Sequence, residues 1–270
     1  MRGKRGPMES FAKYILNNSD LKDRVFISNP PSAALLIWTN KQTLPGITGI
    51  SLVEMENTSF QSGVSTVDLN NALTNRLYGT VPISHIVYDK NLNYMRINGS
   101  QMTVSDAATE ISREFNIRLG GNPAKIPNDI SQINDPFHIW SRDAFDGHSV
   151  MKTDVDILTL NRDLESIKSL IEIKRSRKIP VGTWKPFVNP RSSYNDCNNY
   201  FIMITLANLL DVNFYTIHHE IMDGEISFKD GDRIDLFTYR PDSTSPVNQA
   251  TLNTFSAEEN RRVIEINKLL

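Results

Sequence analysis

The sequence predicts an α/β fold, and three observations carry that expectation. Two short apolar strand patterns, residues 156–160 and 168–174, stand one after the other with NRDLESI as their connection. The nearly all-apolar NNYFIMITLANLL (198–210) is long enough for a buried helix, and DVNFYTIHH behind it reads as a further strand. Helices and strands alternating in this way build a layered domain, with helices covering a central sheet.

Each element has its own justification. MESFAKYIL (8–16) places Met8, Phe11, Tyr14 and Ile15 at helical spacing. From Val25 to Asn98 the signals are short apolar runs, AALLIW (33–38), GISLVEM (49–55) and the pair HIVYD and YMRI around KNLN, divided by Gly, Pro, Asn and Ser. A helix fits Val67 to Leu77 within that α+β region. Thr103 to Asn116 is a second helix, with Val104, Ala108, Ile111 and Phe115 on one face and Thr103 or Ser105 as cap. RLGGNPAKIPNDISQINDP (118–136), with two adjacent glycines and three prolines, reads as a linker or active-site loop. In the last third, ISFKDGDRIDLFTYR suggests a hairpin around Asp230 and Gly231. Ser256 and Glu259 form a Ser-x-x-Glu capping pattern ahead of a closing helix through Val263, Ile266 and Leu270. These signals divide the chain into an N-terminal α+β region, 1–99, and a second domain, 100–270.

Composition narrows the function classes. With 39% hydrophobic and 22% charged residues in 270, the chain can bury a substantial core and reads as a soluble globular protein. A net charge of −2 means that any surface for an anionic partner must come from local clustering. The single cysteine, Cys197, excludes an intramolecular disulfide and a multi-cysteine zinc site. No apolar stretch approaches the roughly 18 residues of a membrane span, and the basic start MRGKRGPMES has no apolar run behind it, so a cytoplasmic location without membrane contact is expected. A Gly-x4-Gly-Lys-Ser/Thr loop, a His-Glu-x-x-His helix and a Gly-x-Ser-x-Gly elbow are all missing.

The chemistry concentrates in DVDILTLNRDLESIKSLIEIKRSRK, 154–178. Pairing the two strands antiparallel with Asp156 opposite Glu172 sets Leu158 against Leu170 and Leu160 against Lys168. In that register Asp156, Glu172 and Lys174 share one face, because alternate strand residues point to the same side. Charges at the end of two apolar strands are costly to bury unless paired or holding a metal. Two carboxylates suit magnesium, which takes one or two protein carboxylates and completes its shell with water and substrate phosphate. A lysine beside such a metal can orient or deprotonate the attacking water. The bland alternative is a solvated Glu-Lys pair of little energetic value.

Asp156 with ILTL, the short turn, and LIEIK at 170–174 resembles the PD-(D/E)XK nuclease superfamily, the restriction-endonuclease-like fold. The helix and strand that follow the motif in that superfamily have counterparts at Asn198 to Leu210 and Val212 to His219. Val155 stands where the superfamily name has proline. The resemblance implies a mixed central sheet flanked by helices, and a DNA endonuclease that hydrolyses phosphodiester bonds with Mg2+, or Mn2+ in its place. It implies Asp156, Glu172 and the Ile173 backbone carbonyl as metal oxygens and Lys174 as the residue serving the water. An additional acid from the preceding helix would be Glu114 or Glu110, Glu114 lying nearer the apolar face. Restriction or defence, phage DNA processing and repair are all contexts for such an enzyme, with 1–99 positioning nucleic acid or mediating homodimerisation. The alternative is a nucleic-acid-binding or assembly protein that keeps the fold without turnover.

Charge distribution points to the same partner. Between Glu172 and Arg191 stand six basic residues, Lys174, Arg175, Arg177, Lys178, Lys185 and Arg191, against one acid. Such clusters neutralise phosphates, and Arg175, Arg177, Lys178, Lys185 and Arg191 are the expected DNA contacts. Trp184, Phe187 and Tyr194 could stack on bases, though core packing is the commoner use of such aromatics. His218 and His219 with Glu220 form the rival metal pattern, but adjacent strand residues face opposite sides and cannot easily share an ion, so a structural or surface role is expected. His138, His148, Asp146 and Asp154 lie upstream of the motif, Asp154 being the alternate ligand should the register shift by two.

Overall fold

In a computed structural model of the chain, the described residues are 11, 13–15, 17, 22–28, 32–43, 46–58, 64–127, 135–176, 179–185, 197–220, 228–229, 231–239 and 261–269; at 43, 175, 176 and 197 only the backbone is described. The strands are β1 (Val25–Ile27), β2 (Ala33–Asn40), β3 (Ile47–Met55), β4 (Ile83–Tyr88), β5 (Met95–Ile97), β6 (Ser100–Met102), β7 (Val150–Val155), β8 (Ile157–Leu160), β9 (Ile167–Ser176), β10 (Asn213–Glu220), β11 (Arg233–Tyr239) and β12 (Arg261–Glu265). The helices are α1 (Thr66–Leu77), α2 (Val104–Glu114), α3 (Pro136–Ala144) and α4 (Cys197–Leu210). Residues 11 and 13–15 are also helical, as their apolar spacing requires. The fold is α/β with two mixed sheets, and no described helix is long and apolar enough to cross a membrane.

The chain's contacts divide it into two units, and the division differs from a cut after residue 99. One comprises 1–27, 61–69 and 156–270, the other 28–60 and 70–155. Residue 99 falls inside the β5–β6 hairpin of the second unit, where Asn98 and Gly99 both take positive φ and Ile97 pairs with Ser100. Left-handed backbone at two successive turn residues is the geometry for which Asn-Gly is suited.

The second unit is built on a sheet of order β6-β5-β4-β3-β2-β7, parallel only between β3 and β4. One face carries Trp38, Val53, Ile86, Tyr88 and Ile97, and its core continues through Ala107, Ala108, Ile111 and Phe115 with Phe137, Trp140 and Phe145. Thr103 caps α2 by accepting from the Asp106 N–H, which decides between the two candidate caps. Gly49 is required here: a Cβ at this position would lie 2.2 Å from the Phe115 ring. Where the stretch 118–136 ends, a helix not expected from the sequence begins, α3, started by an Asp135 side-chain cap and Pro136. It buries Phe137, Trp140, Ser141 and Ala144, a helical spacing.

The first unit is built on the sheet β1-β8-β9-β10-β11-β12. β9 and β10 run parallel, and the chain between them includes α4, as a crossover between parallel neighbours needs. Ile157, Ile171, Ile173, Ile217, Ile234 and Leu236 cluster with Phe11, Ile15 and Phe228 on one face. On the other, Tyr200 of α4 packs against Phe214 and Tyr239, with ring centroids 5.9 and 5.7 Å away.

One expectation is corrected here. Residues 261–265 form an edge strand paired antiparallel with β11, Asp235 opposite Val263, and only a 3-10 turn, Ile266–Lys268, follows. The β-branched Val263 and Ile264 suit the strand, and Arg261 is held by an ion pair to Asp235 that a helix starting at Ser256 would not place there. The capping residues Ser256 and Glu259 lie outside the described residues. Strand 233–239 forms as expected, but its described partners are β10 and β12; residues 221–227, which would supply the first arm of the expected hairpin, lie outside the described set.

Candidate functional site

The β8–β9 pairing places the motif. Leu158 opposes Leu170 as expected and Ile157 opposes Ile171, so continuing the register by one residue sets Asp156 opposite Glu172. A bulge between Thr159 and Leu160 moves the partner of Leu160 from the expected Lys168 to Ile167. Asp156 itself occupies a bend between β7 and β8, and its Oδ2 accepts the Ile173 N–H at 2.9 Å. The side chain is therefore fixed against the middle of the Glu-Ile-Lys triplet.

Glu172 and Lys174 lie two residues apart on one face of β9, and Lys174 Nζ is 2.7 Å from Glu172 Oε1. Their side chains are 16% and 22% exposed, so the pair is shielded on most sides while remaining reachable from solvent. Such a pair is neither a freely solvated surface contact nor a fully desolvated one. Along β10, Thr216 is the neighbour of Glu172 and His218 the neighbour of Lys174. Both sit towards the carboxyl ends of two parallel strands, where α/β sheets commonly bind ligands.

The donor set can be tested against a divalent ion. Among the described residues no group of three or more His, Cys, Asp and Glu converges, so a closed cage of protein ligands is not formed there. A pair of carboxylates, one in the bend before β8 and one on β9, is the smaller kind of set that magnesium takes when water and a substrate phosphate complete its shell. Asp156 and Glu172 are the two carboxylates of that kind here, and the Ile173 carbonyl is the backbone oxygen between Glu172 and Lys174.

The other expected residues are placed as follows. Glu114 belongs to the second unit, where its carboxylate accepts from Ser84 Oγ at 2.6 Å, and Glu110 pairs with Arg113 on the same helix. Asp154 lies on β7 and is exposed; Asp146 accepts from Ser149 and the His148 N–H, bonds that hold its carboxyl below the usual range. Both belong to the second unit. His138 lies in the first turn of α3 and is exposed by surface area; partial desolvation, with Lys152 nearby, lowers its pKa. Arg175 occupies the strand position beside His219, and Lys185 is exposed. Arg177, Lys178, Arg191, Phe187 and Tyr194 lie outside the described residues.

One feature of the site was not anticipated. His218 and His219 do point to opposite faces, but neither is at the surface. His219 stacks on Phe228 at 4.1 Å and bonds Asp232, whereas His218 is fully buried with Nδ1 3.0 Å from Asp235 Oδ2. Asp235 is also fully buried, and its Oδ1 accepts from Arg261 Nε and a terminal guanidinium nitrogen, both at 3.0 Å, and from the Gly182 N–H at 2.8 Å. Trp184 lies flat on the His218 ring, centroids 5.1 Å apart and planes 8° from parallel, so this tryptophan packs inside the unit. Burial lowers the His218 pKa, with Asp235 opposing the shift. No local pattern announces this network, because β10, β11 and β12 must first be aligned to bring its members together. Compared with protein-family models, curated proteins and solved structures, the chain matches none.

Proposed function

We propose that the first unit is a divalent-metal-dependent deoxyribonuclease with a restriction-endonuclease-like core, cutting DNA internally by attack of water on phosphorus. The observation that carries this reading is the arrangement at the end of β9: Glu172 ion-paired to Lys174, with Asp156 tied to the backbone of the residue between them. The succession of β-strand, α-helix and parallel β-strand, β9-α4-β10, is the order of elements that this reading calls for after the motif.

In this reading Asp156, Glu172 and the Ile173 carbonyl hold Mg2+, with Mn2+ as a substitute. The ion, when bound, lowers the pKa of water and offsets charge developing on the phosphate. Lys174 orients the attacking water and places positive charge beside the phosphate. Hydrolysis forms a water-oxygen–phosphorus bond and breaks the bond to the leaving sugar oxygen, which takes up a proton. Arg175, Arg177, Lys178, Lys185 and Arg191 supply phosphate contacts that set register without reading sequence. Nucleic-acid positioning or homodimerisation is the role left to the part of residues 1–99 that lies in the second unit, 28–60 and 70–99.

Nicking of supercoiled plasmid with and without Mg2+, on wild type and Asp156→Asn, tests the reading. Mg2+-dependent nicking lost in the variant is expected. DNA binding without any nicking in wild type would favour the non-catalytic nucleic-acid-binding alternative.

A further inference from the structure

The buried imidazole of His218 lies next to the proposed site and has one nitrogen to spare. His218 and Lys174 are partners in the parallel β9–β10 register, so their side chains leave the same face from adjacent strands. Asp235 accepts from Arg261 and Gly182 as a carboxylate, and an ionised carboxylate is acceptor only. The bond at Nδ1 therefore places the proton there and leaves a lone pair on Nε2. Trp184 on the ring face, itself edge-on to Phe237 at 5.2 Å, keeps the imidazole from turning over. Nε2 is buried, and among the described residues no protein group donates to it. A buried acceptor of this kind is expected to find a donor.

Lys174 carries three N–H donors, so its ammonium can serve more than one acceptor while it holds Glu172 Oε1. We propose that Nε2 of His218 accepts a hydrogen bond from the Lys174 ammonium in the working site, making His218 a positioning residue that steers Lys174 while Glu172 serves the metal. The inference rests on the nuclease reading and extends it: Asp235, Arg261 and Gly182 become the frame that aims His218, and His218 in turn aims Lys174. Neither His218 nor Asp235 touches the substrate.

Two measurements test it. In DNA-free protein with Mg2+ present, the 15N resonance of His218 Nε2 should move on Lys174→Met, because its hydrogen-bond donor is removed. In single-turnover cleavage at saturating DNA, His218→Phe keeps the stacking area and should slow the reaction by about 10- to 100-fold, as removal of outer-shell partners does. DNA affinity should be unchanged, and His218→Gln, with an amide oxygen near the Nε2 position, should recover most of the rate. In a Lys174→Met background His218→Phe should cost nothing further, since both changes remove one interaction. An unmoved His218 resonance, or losses that simply add, would overturn the inference while leaving the nuclease reading intact. A wild-type protein without Mg2+-dependent cleavage would overturn both.

Discussion

The Asp156 carboxylate accepts the Ile173 N–H at 2.9 Å, across 17 residues of sequence. This bond ties a bend to the strand that carries Glu172 and Lys174, so Asp156 has a structural task as well as its proposed chemical one. The two can be separated. Asp156→Asn retains an oxygen acceptor for Ile173 and should leave thermal stability and DNA binding near wild type, while Mg2+-dependent nicking falls by at least about 100-fold as ligand charge is lost. Asp156→Ala should in addition lose about 1 kcal/mol of stability. Nicking assays and urea titrations of the two variants check this; full nicking by Asp156→Asn would remove the residue from the metal site.

Lys174→Ala should separate turnover from affinity. Removing the amine proposed to orient water, or in its neutral form to deprotonate it, should cost about 10²- to 10⁴-fold in single-turnover rate with little change in DNA binding. Neutralising Arg177 and Lys178 together should do the reverse, weakening binding and reducing the salt slope by about 0.9 log unit for each phosphate that the protein no longer neutralises. Binding titrated against salt and cleavage at saturating DNA, on the same proteins, distinguish the patterns. A Lys174→Ala variant behaving like the distal pair would make Lys174 one more phosphate-binding cation.

Much of the motif was legible because strand alternation is a strong constraint. Once Leu158 and Leu170 are opposed, the face shared by Glu172 and Lys174 follows. The bulge after Thr159 was not legible, since one inserted residue leaves no mark on so short an apolar run. The helix α3 carried its own signals, Asp135 followed by Pro136 and apolar residues at 137, 140 and 144, but the loop reading of 118–136 stopped at that proline and no element was assigned beyond it. At 261–265 the run Val263, Ile264, Ile266 fits a helical and a strand period equally; pairing with β11 decides it. The His218 network needed that pairing too, because its acid lies 17 residues away and its arginine on a third strand.

In the second unit, burial pushes the Lys152 amine down to about 8 from its usual 10.5. Its Nζ bonds Ser141 Oγ and lies 5.4 Å from the Trp38 ring centroid, and its charge is costly there. A lysine depressed in the folded state carries its full penalty below the folded pKa, and the penalty is relieved as pH rises from about 8 towards 10.5. Lys152→Met should thus be at least as stable as wild type at pH 7, the difference shrinking across that window. Denaturant titrations followed by tryptophan fluorescence at several pH values check it, as Trp38 and Trp140 both belong to this unit. A difference independent of pH would mean that the amine is adequately solvated.

Gly49→Ala tests the close approach of β3 to the end of α2. The added methyl would meet three atoms of the Phe115 ring at 2.2 to 2.7 Å, too near for adjustment by side-chain motion alone. A loss of about 1 to 3 kcal/mol is expected. Phe115→Leu, destabilising by itself, should make Gly49→Ala less costly when the two are combined, and a double-mutant cycle by denaturant unfolding measures the coupling. Strict additivity would mean that the ring does not limit the space at Gly49.

Asp235 is fully buried and holds His218, Arg261 and the Gly182 N–H together, so Asp235→Ala should be among the most damaging changes in the first unit. It leaves the guanidinium of Arg261, 13% exposed, without its carboxylate, and breaking a buried pair from one side typically costs about 3 to 5 kcal/mol. Replacing both partners is a different change. Asp235→Leu combined with Arg261→Met removes the two charges together and should recover a large part of that loss, because an apolar pair of similar volume has no desolvation to offset. The His218 ring would lose its Nδ1 acceptor in the double variant, so the proposed aim at Lys174 should fail even where stability returns. Thermal unfolding and single-turnover cleavage of the single and double variants should therefore diverge: stability recovers in the double variant and cleavage does not. Recovery of both would show that Asp235 holds the sheet together without directing the site.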